Sequence, residues 1–136
     1  WYREYIRREW GGPDLIVGDG GLGSGNDAIV LQRIDLAQVI MVLSCSKPGG
    51  ACVIKHFTPY IKRHKDTKYA YGFFLGFIYL YYIAFDNVSL FKPYSSNPNS
   101  GEFYVVGKGF RGISHSNLEK LYNILDNFAF LVSPLL

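Results

Sequence analysis

The stretch SGEFYVVGKGF, Ser100 to Phe110, decides how this chain folds, because the strand it predicts runs against the other strands. Glu102 stands at its start, and the apolar run that follows is typical of a β-strand. A preceding strand-like run, NVSLFKP, stops at Pro93, only a short polar loop earlier. Since that loop is too short to hold a crossover helix, the last two strands are predicted to be antiparallel.

Two earlier runs are predicted to form parallel strands. DLIVGD at 14–19 and ACVIKHF at 51–57 are short and continuously apolar, as in strands that are covered on both faces. With the helical patterns and the two later strands included, the predicted order along the chain is strand, helix, strand, helix, strand, strand, helix. This alternation predicts an α/β fold with right-handed crossovers, in which a mostly parallel sheet carries one antiparallel strand.

The first and last helices of this series have apolar stripes. The first follows a predicted N-cap at Asn26, and the last opens with Ser116 and Glu119 at capping-box spacing. The first is predicted to turn Val30, Ile34, Ala37, Met41 and Cys45 to the core, and Gln32, Arg33, Asp35 and Gln38 away from it. The last is predicted to bury one face made of Leu118, Leu121, Tyr122, Leu125 and Phe128.

The middle helix is an uncharged run, YAYGFFLGFIYLYYIAF at 69–85, with Gly72 and Gly76 in a GxxxG arrangement. On hydropathy alone it suggests a membrane span. It is shorter than the roughly 20 residues that a bilayer needs, and its tyrosine hydroxyls require hydrogen-bond partners. It is therefore predicted to be a buried crossover helix, with no membrane as a partner.

Composition places the 136-residue chain among globular proteins of one domain. Hydrophobic residues make up 49%, and the net charge of +3 favours a polyanionic partner without requiring one. Cys45 and Cys52 lack metal-site spacing, which predicts a reduced, intracellular compartment and no metal. Because the sequence begins with Trp1, we expect a truncated N-terminus.

Strand directions bring three charged residues to one edge of the predicted sheet. Ligands of open parallel sheets bind beyond the carboxyl ends of the strands, where Asp19 closes the first strand and Lys55 the second. The reversed last strand places its amino end, Glu102, at the same edge. A lysine between two carboxylates has a raised pKa, and only burial or a nearby cation makes it a base at neutral pH.

A glycine-rich loop after the first strand permits a second interpretation. Gly18, Gly20 and Gly23 spell GxGxxG between a strand and a helix, the pattern of dinucleotide-binding oxidoreductases. Asp19 would then place a carboxylate beside the pyrophosphate, and Lys55 stands where an acidic ribose ligand is expected. These conflicts argue against a dinucleotide site.

Three blocks, DLIVGDGG, GGACVIKHF and LFKPYSSNPNSGEFYVVGKGF, resemble the second half of the FtsJ-type (RrmJ-like) ribose 2′-O-methyltransferases. The last block is most similar to the cap-specific mRNA 2′-O-methyltransferases of eukaryotes and large DNA viruses. The resemblance covers most of the chain from Asp14 to Phe110. It implies a Rossmann-like methyltransferase fold of which residues 1–136 form a C-terminal part, without the N-terminal cofactor-binding part.

The same resemblance implies S-adenosylmethionine as cofactor and a Lys-Asp-Lys-Glu catalytic tetrad. Asp19, Lys55 and Glu102 match three of its members, Asp19 and Gly20 are expected at the cofactor, and the first lysine has no counterpart. With one lysine facing two carboxylates, we expect Lys55 to stay protonated and the chain alone to turn over slowly. The second half of the site would come from the missing N-terminal half or a partner chain.

RNA, most of all capped mRNA, is the partner that the resemblance implies, in the cytoplasm (a viral factory) or the nucleus. Lys92, Ser95, Ser96 and Asn97 are predicted to contact the RNA backbone, although the same residues are usual in turns. Residues 62–65 are interpreted either as solvated charges or as phosphate contacts. His56 and His115 are predicted to be structural or superficial. A ribosomal RNA 2′-O-methyltransferase and a non-catalytic RNA-binding relic remain as alternatives.

Overall fold

The structure, a computed structural model, describes residues 11–21, 28–58 and 67–128. Four strands form one sheet: β1 (Leu15–Gly18), β2 (Ala51–Phe57), β3 (Phe85–Phe91) and β4 (Glu102–Phe110). Three helices accompany it: α1 (Ala28–Cys45), α2 (Thr67–Ala84) and α3 (His115–Asp126). The predicted alternation of elements is confirmed, and β2 and β4 have the bounds of the runs that predicted them. β3 begins two residues before the predicted Asn87.

Strand β4 lies inside the sheet rather than at its edge. The order is β1-β2-β4-β3, with β1 parallel to β2 and β4 antiparallel to both of its neighbours. The reversal of β4 is therefore as predicted. Because β4 separates β2 from β3, only one of the three neighbouring pairs is parallel, and the sheet is mixed. The prediction of a mostly parallel sheet is wrong in this respect.

The helices pack on one face of the sheet. Alternate residues of β2 are buried there, and both α1 and α2 reach His56 on that face. Within the described residues, the opposite face is open, with Leu15 52% and Val17 68% exposed. The prediction that β1 is covered on both faces is not met by this part of the chain. A two-layer α/β arrangement results.

Helix α1 turns a different face to the core from the predicted one. Val30 and Met41 are exposed, whereas Asp35 is buried. The segment is apolar on nearly all sides, so the period alone does not define one stripe, and packing between the sheet and the other helices selects the face. The buried residues of α1 are Asp35, Leu36, Val39, Ile40, Val42, Leu43, Ser44 and Cys45.

The helix termini follow local chemistry. Ser114, not Ser116, caps α3, and its hydroxyl accepts a hydrogen bond from the Asn117 N–H at 3.3 Å. The predicted apolar face of α3 is confirmed, since all five of its residues belong to the core or pack against it. At the end of α2, the guanidinium of Arg111 donates to the carbonyls of Tyr82 and Ile83, which the helix leaves without partners.

Helix α2 is a crossover on the sheet, as predicted, but it is only half buried. Phe77, Tyr81 and Ala84 enter the core, while Tyr79 and Tyr82 are exposed. None of the helices in the described ranges combines the length and apolarity needed to span a membrane.

Candidate active site at the carboxyl ends of β1 and β2

The site begins with an ion pair between the ends of two parallel strands. Asp19 follows β1 directly, and Lys55 lies near the end of β2. The Lys55 Nζ and Asp19 Oδ1 atoms are 2.5 Å apart. The lysine side chain is 14% exposed and the aspartate side chain 72%, so the ammonium is sheltered while the carboxylate remains open to solvent.

Glu102 lies at the same edge because β4 is antiparallel to β2. In the register of these strands, Glu102 is opposite Phe57 and Tyr104 is opposite Lys55, so all four side chains share the open face. The predicted meeting of Asp19, Lys55 and Glu102 at one edge is therefore found. Their catalytic roles stay a prediction.

The charges at this edge act on the Lys55 ammonium. Its pKa is raised, first by the hydrogen bond to Asp19 and further by the charges of Asp19 and Glu102, although burial opposes them. Among the ion pairs of the described ranges, Glu102 has none, so it acts on Lys55 through its field. This direction of the pKa shift agrees with the sequence-based expectation that Lys55 stays protonated.

Two aromatic residues that the sequence analysis did not select complete the surroundings of the ammonium. Lys55 Nζ lies 5.6 Å from the centroid of the Phe57 ring, within the range of a cation–π contact. The Tyr104 hydroxyl donates to Glu102 Oε1 at 3.5 Å. Partial burial, followed by the charges of Glu102 and Asp19, raises the pKa of Tyr104. Because side chains two residues apart in a strand lie on the same face, the sequence of β4 could have indicated that Tyr104 lies beside Glu102.

Lys92 holds the loop between β3 and β4. Its ammonium donates to the carbonyls of Ser100 and Glu102, both at 2.8 Å, and to the hydroxyl of Ser96 at 3.3 Å. Since an ammonium has three donors, these bonds use all of them. Ser96 in turn donates to Glu102 Oε1 at 3.3 Å. Lys92 and Ser96 thus support Glu102 from the loop.

The other two residues predicted to contact RNA face solvent. Ser95 is exposed, and exposed Asn97 uses its Oδ1 to accept the Asn99 N–H at 2.9 Å. Their contact with RNA stays a prediction. The basic segment 62–65 lies outside the described residues, as do Gly23 and Asn26.

The residues present fit a cationic cofactor in one respect and not in another. The exposed carboxylate of Asp19 suits a positive group such as a sulfonium. The Gly20 N–H, in contrast, already donates to Gln38 Oε1 at 2.8 Å, so it is not a free donor for a ligand. Within the described ranges, no cluster of His, Cys, Asp and Glu has the arrangement of a metal site.

His56 lies in the core and His115 on the surface, in agreement with the structural or superficial positions predicted for them. His56 is 2% exposed and hydrogen-bonded inside the core, and exposed His115 pairs with Glu119 one helical turn away. Cys45 and Cys52 are buried free thiols. Burial raises the pKa of Cys52 to about 11, which makes its thiolate scarce at neutral pH.

Comparison with known proteins identifies relatives of this chain. It is 36% identical over 104 residues to the cap-specific mRNA (nucleoside-2′-O-)-methyltransferase 1 of Mus musculus, and 33% over 117 residues to that of Danio rerio. These alignments cover 74% and 83% of the chain. The chain belongs to the family of these methyltransferases. An uncharacterized protein of Acanthamoeba polyphaga mimivirus is 29% identical over 84% of the chain.

These alignments confirm the resemblance to cap-specific 2′-O-methyltransferases that the sequence blocks suggest. The chain spans only 11% to 14% of the length of the three relatives. No protein-family model matches it, so the finer assignment to the FtsJ type remains a prediction.

Proposed function

We propose that this chain forms part of an S-adenosylmethionine-dependent RNA ribose 2′-O-methyltransferase that acts on the mRNA cap. The observation that carries the proposal is the Lys55–Asp19 ion pair at the edge where Glu102 also lies, in a relative of cap-specific methyltransferases. Three residues that the family resemblance selects thus come together although they are distant in sequence. A positive, sheltered donor beside open carboxylates suits the alignment of a ribose hydroxyl.

The roles of the three residues follow from their charges. Bound S-adenosylmethionine would supply an electrophilic methyl group on a positive sulfur. Asp19 is the exposed anion that attracts positive charge to this edge, and Lys55 is the donor that holds a 2′-oxygen in line. The hydrogen bond to Asp19 raises the pKa of Lys55 most, and the charge of Glu102 adds to this effect. Glu102 is itself held by Ser96 and Tyr104.

The raised pKa of Lys55 supports one of two possible roles for this ammonium group. A lysine whose pKa is raised keeps its proton at neutral pH, which suits an orienting and charge-stabilising donor better than a general base. A second cation that engages Asp19 would weaken this hold and lower the pKa of Lys55 toward that of a general base. The described residues place Lys55 alone between the carboxylates, so we expect slow turnover from the 136-residue chain by itself.

The loop between β3 and β4 is the proposed RNA contact. Ser95 and Asn97 offer exposed polar groups to phosphates, and Lys92 organises the loop that presents them. Phe91 and Tyr94, which flank Lys92, are 56% and 107% exposed and present flat apolar surfaces suited to stacking on unpaired bases.

The test is methyl transfer by the full-length protein from radiolabelled S-adenosylmethionine to a matched set of RNAs. The set contains one sequence with a cap, without a cap, and with a cap but 2′-deoxyribose at the cap-proximal nucleotides. We expect label only in the capped ribose RNA. Equal labelling of the deoxyribose RNA would exclude 2′-O transfer, and preference for uncapped ribosomal RNA fragments would favour the ribosomal alternative. No transfer to any RNA would contradict the proposal.

A further inference from the structure

A single amide side chain joins the ends of the two strands that carry Asp19 and Lys55. Gln38, in the middle of α1, accepts a hydrogen bond from the Gly20 N–H at 2.8 Å through Oε1. Its Nε2 donates to the Lys55 carbonyl at 3.2 Å. The two bonds fix the orientation of the amide, because one partner is a donor and the other an acceptor.

These bonds occur where the pairing of β1 with β2 stops. The last paired residues are Gly18 and Ile54, one position before Asp19 and Lys55. Beyond this point, the backbone of Gly20 and the carbonyl of Lys55 have the Gln38 amide as their partner. Gln38 thus continues the connection between the strands at the residues that form the ion pair.

The glycines of the loop make room for this contact. A Cβ at Gly18 would lie 2.8 Å from Gln38 Oε1 and 2.9 Å from Ile54 Cδ1. A Cβ at Gly20 would lie 2.8 Å from Gln38 Oε1 and from Ile34 Cγ2. All four distances are shorter than real Cβ contacts allow. Gly18 and Gly20, the first two glycines of the GxGxxG pattern, therefore allow the close approach of α1, which gives these two positions a structural reason that involves no dinucleotide.

We propose that Gln38 is a positioning residue, which holds the backbones next to Asp19 and Lys55 so that their side chains stay in contact. Gln38 does not belong to the open face and touches no substrate in this scheme. Its importance for methyl transfer rests on the proposed function, whereas its effect on the ion pair does not.

The test compares Gln38→Met, which has similar length but neither donor nor acceptor, with the unaltered chain. Lys55 is titrated by NMR through its side-chain nitrogen or adjacent carbon, and Asp19→Asn provides the reference for a lost ion pair. We expect the pKa of Lys55 in Gln38→Met to fall toward that of Asp19→Asn. Asp19, Glu102 and Tyr104 are the titratable groups whose charges act on Lys55, and all three are retained in Gln38→Met. An unchanged pKa of Lys55 in the folded variant would overturn the proposal.

Two controls separate positioning from general stability. Gln32→Met lies six residues earlier, on another side of α1, and is expected to leave the pKa of Lys55 unchanged. If Gln38→Met does not fold, the proposal is tested by hydrogen exchange in the unaltered chain. Slow exchange of the Gly20 amide is expected, and rapid exchange would overturn the proposal. Neither measurement depends on methyl transfer. Where the full-length protein transfers methyl groups, Gln38→Met is expected to lower kcat roughly 10- to 100-fold with little change in the KM for RNA, and an unchanged kcat would contradict the catalytic part.

Discussion

Removal of one buried hydroxyl, in Tyr81→Phe, is expected to destabilise the protein because it opens a chain of hydrogen bonds beneath β2. The Asp35 carboxylate accepts from His56 Nδ1 at 2.8 Å, and His56 Nε2 lies 3.0 Å from the Tyr81 hydroxyl. All three residues are at most 8% exposed. Burial raises the pKa of Tyr81 well above its ordinary value, so the hydroxyl keeps its proton for this bond.

The size of the effect follows from what the substitution leaves behind. Phenylalanine fills the same space but leaves His56 Nε2 without a partner in the core, and an unsatisfied buried polar group costs about 1–3 kcal/mol. For a domain of this size, each 1 kcal/mol corresponds to roughly 4 °C in Tm. We therefore expect Tyr81→Phe to lower Tm by about 4–12 °C. His56→Phe should cost more, about 3–5 kcal/mol, because it leaves the buried Asp35 carboxylate without its partner.

The assay is urea unfolding and thermal melting of each variant. Tyr79→Phe is the matched control, since Tyr79 lies on the same helix but is 61% exposed, and its stability should change by less than about 0.5 kcal/mol. If Tyr81→Phe is as stable as Tyr79→Phe, or more stable than the unaltered protein, the hydrogen bond does not contribute as argued.

Three further tests, which use four substitutions, address other parts of the structure. Asp19→Asn should lower the pKa of Lys55. The raised pKa means that the ion pair stabilises the protein at pH values below this pKa and no longer does so above it. The fall in stability at alkaline pH should therefore shift to lower pH in the variant, and unfolding measured as a function of pH will detect the shift. Gly107→Ala places a Cβ 2.9 Å from a buried aromatic ring and should lower the free energy of unfolding by about 1–3 kcal/mol. Gly76→Ala, with open space on the exposed side of α2, should raise it by about 0.5–1 kcal/mol. Equal unfolding midpoints of the two variants would contradict this contrast. Lys92→Met should speed hydrogen exchange throughout the loop at 93–101, and unchanged exchange would show that its three bonds do not order the loop.

The sequence predicts the strands from their apolar runs, and it predicts the charged edge from the directions in which these strands run. β2 and β4 are continuous apolar runs between glycine-rich or polar segments, and the short loop before Glu102 forces a reversal. Once the directions are known, Asp19, Lys55 and Glu102 must lie at one edge. No side-chain conformation is needed for that conclusion.

What the sequence did not predict depends on packing between elements. Helix α1 is apolar on several sides, so its period did not identify Asp35 as buried or Gln38 as a bridge between strands. Chain direction alone does not determine which strands are neighbours, so the sequence did not predict that β4 lies between β2 and β3. Similarly, the sequence predicts an RNA contact for Lys92 but not the bonds that its ammonium makes to the loop that carries it.

The most direct test of the account measures methyl transfer to capped RNA by the full-length protein with Lys55→Met beside Lys47→Met. Lys47 also pairs with an aspartate, Asp14, but at the opposite edge of the same two strands. The account predicts that Lys55→Met lowers kcat by about 10²- to 10⁴-fold while RNA affinity is retained, and that Lys47→Met leaves kcat unchanged. Equal activity of the two variants would contradict the assignment of the reaction to this edge of the sheet.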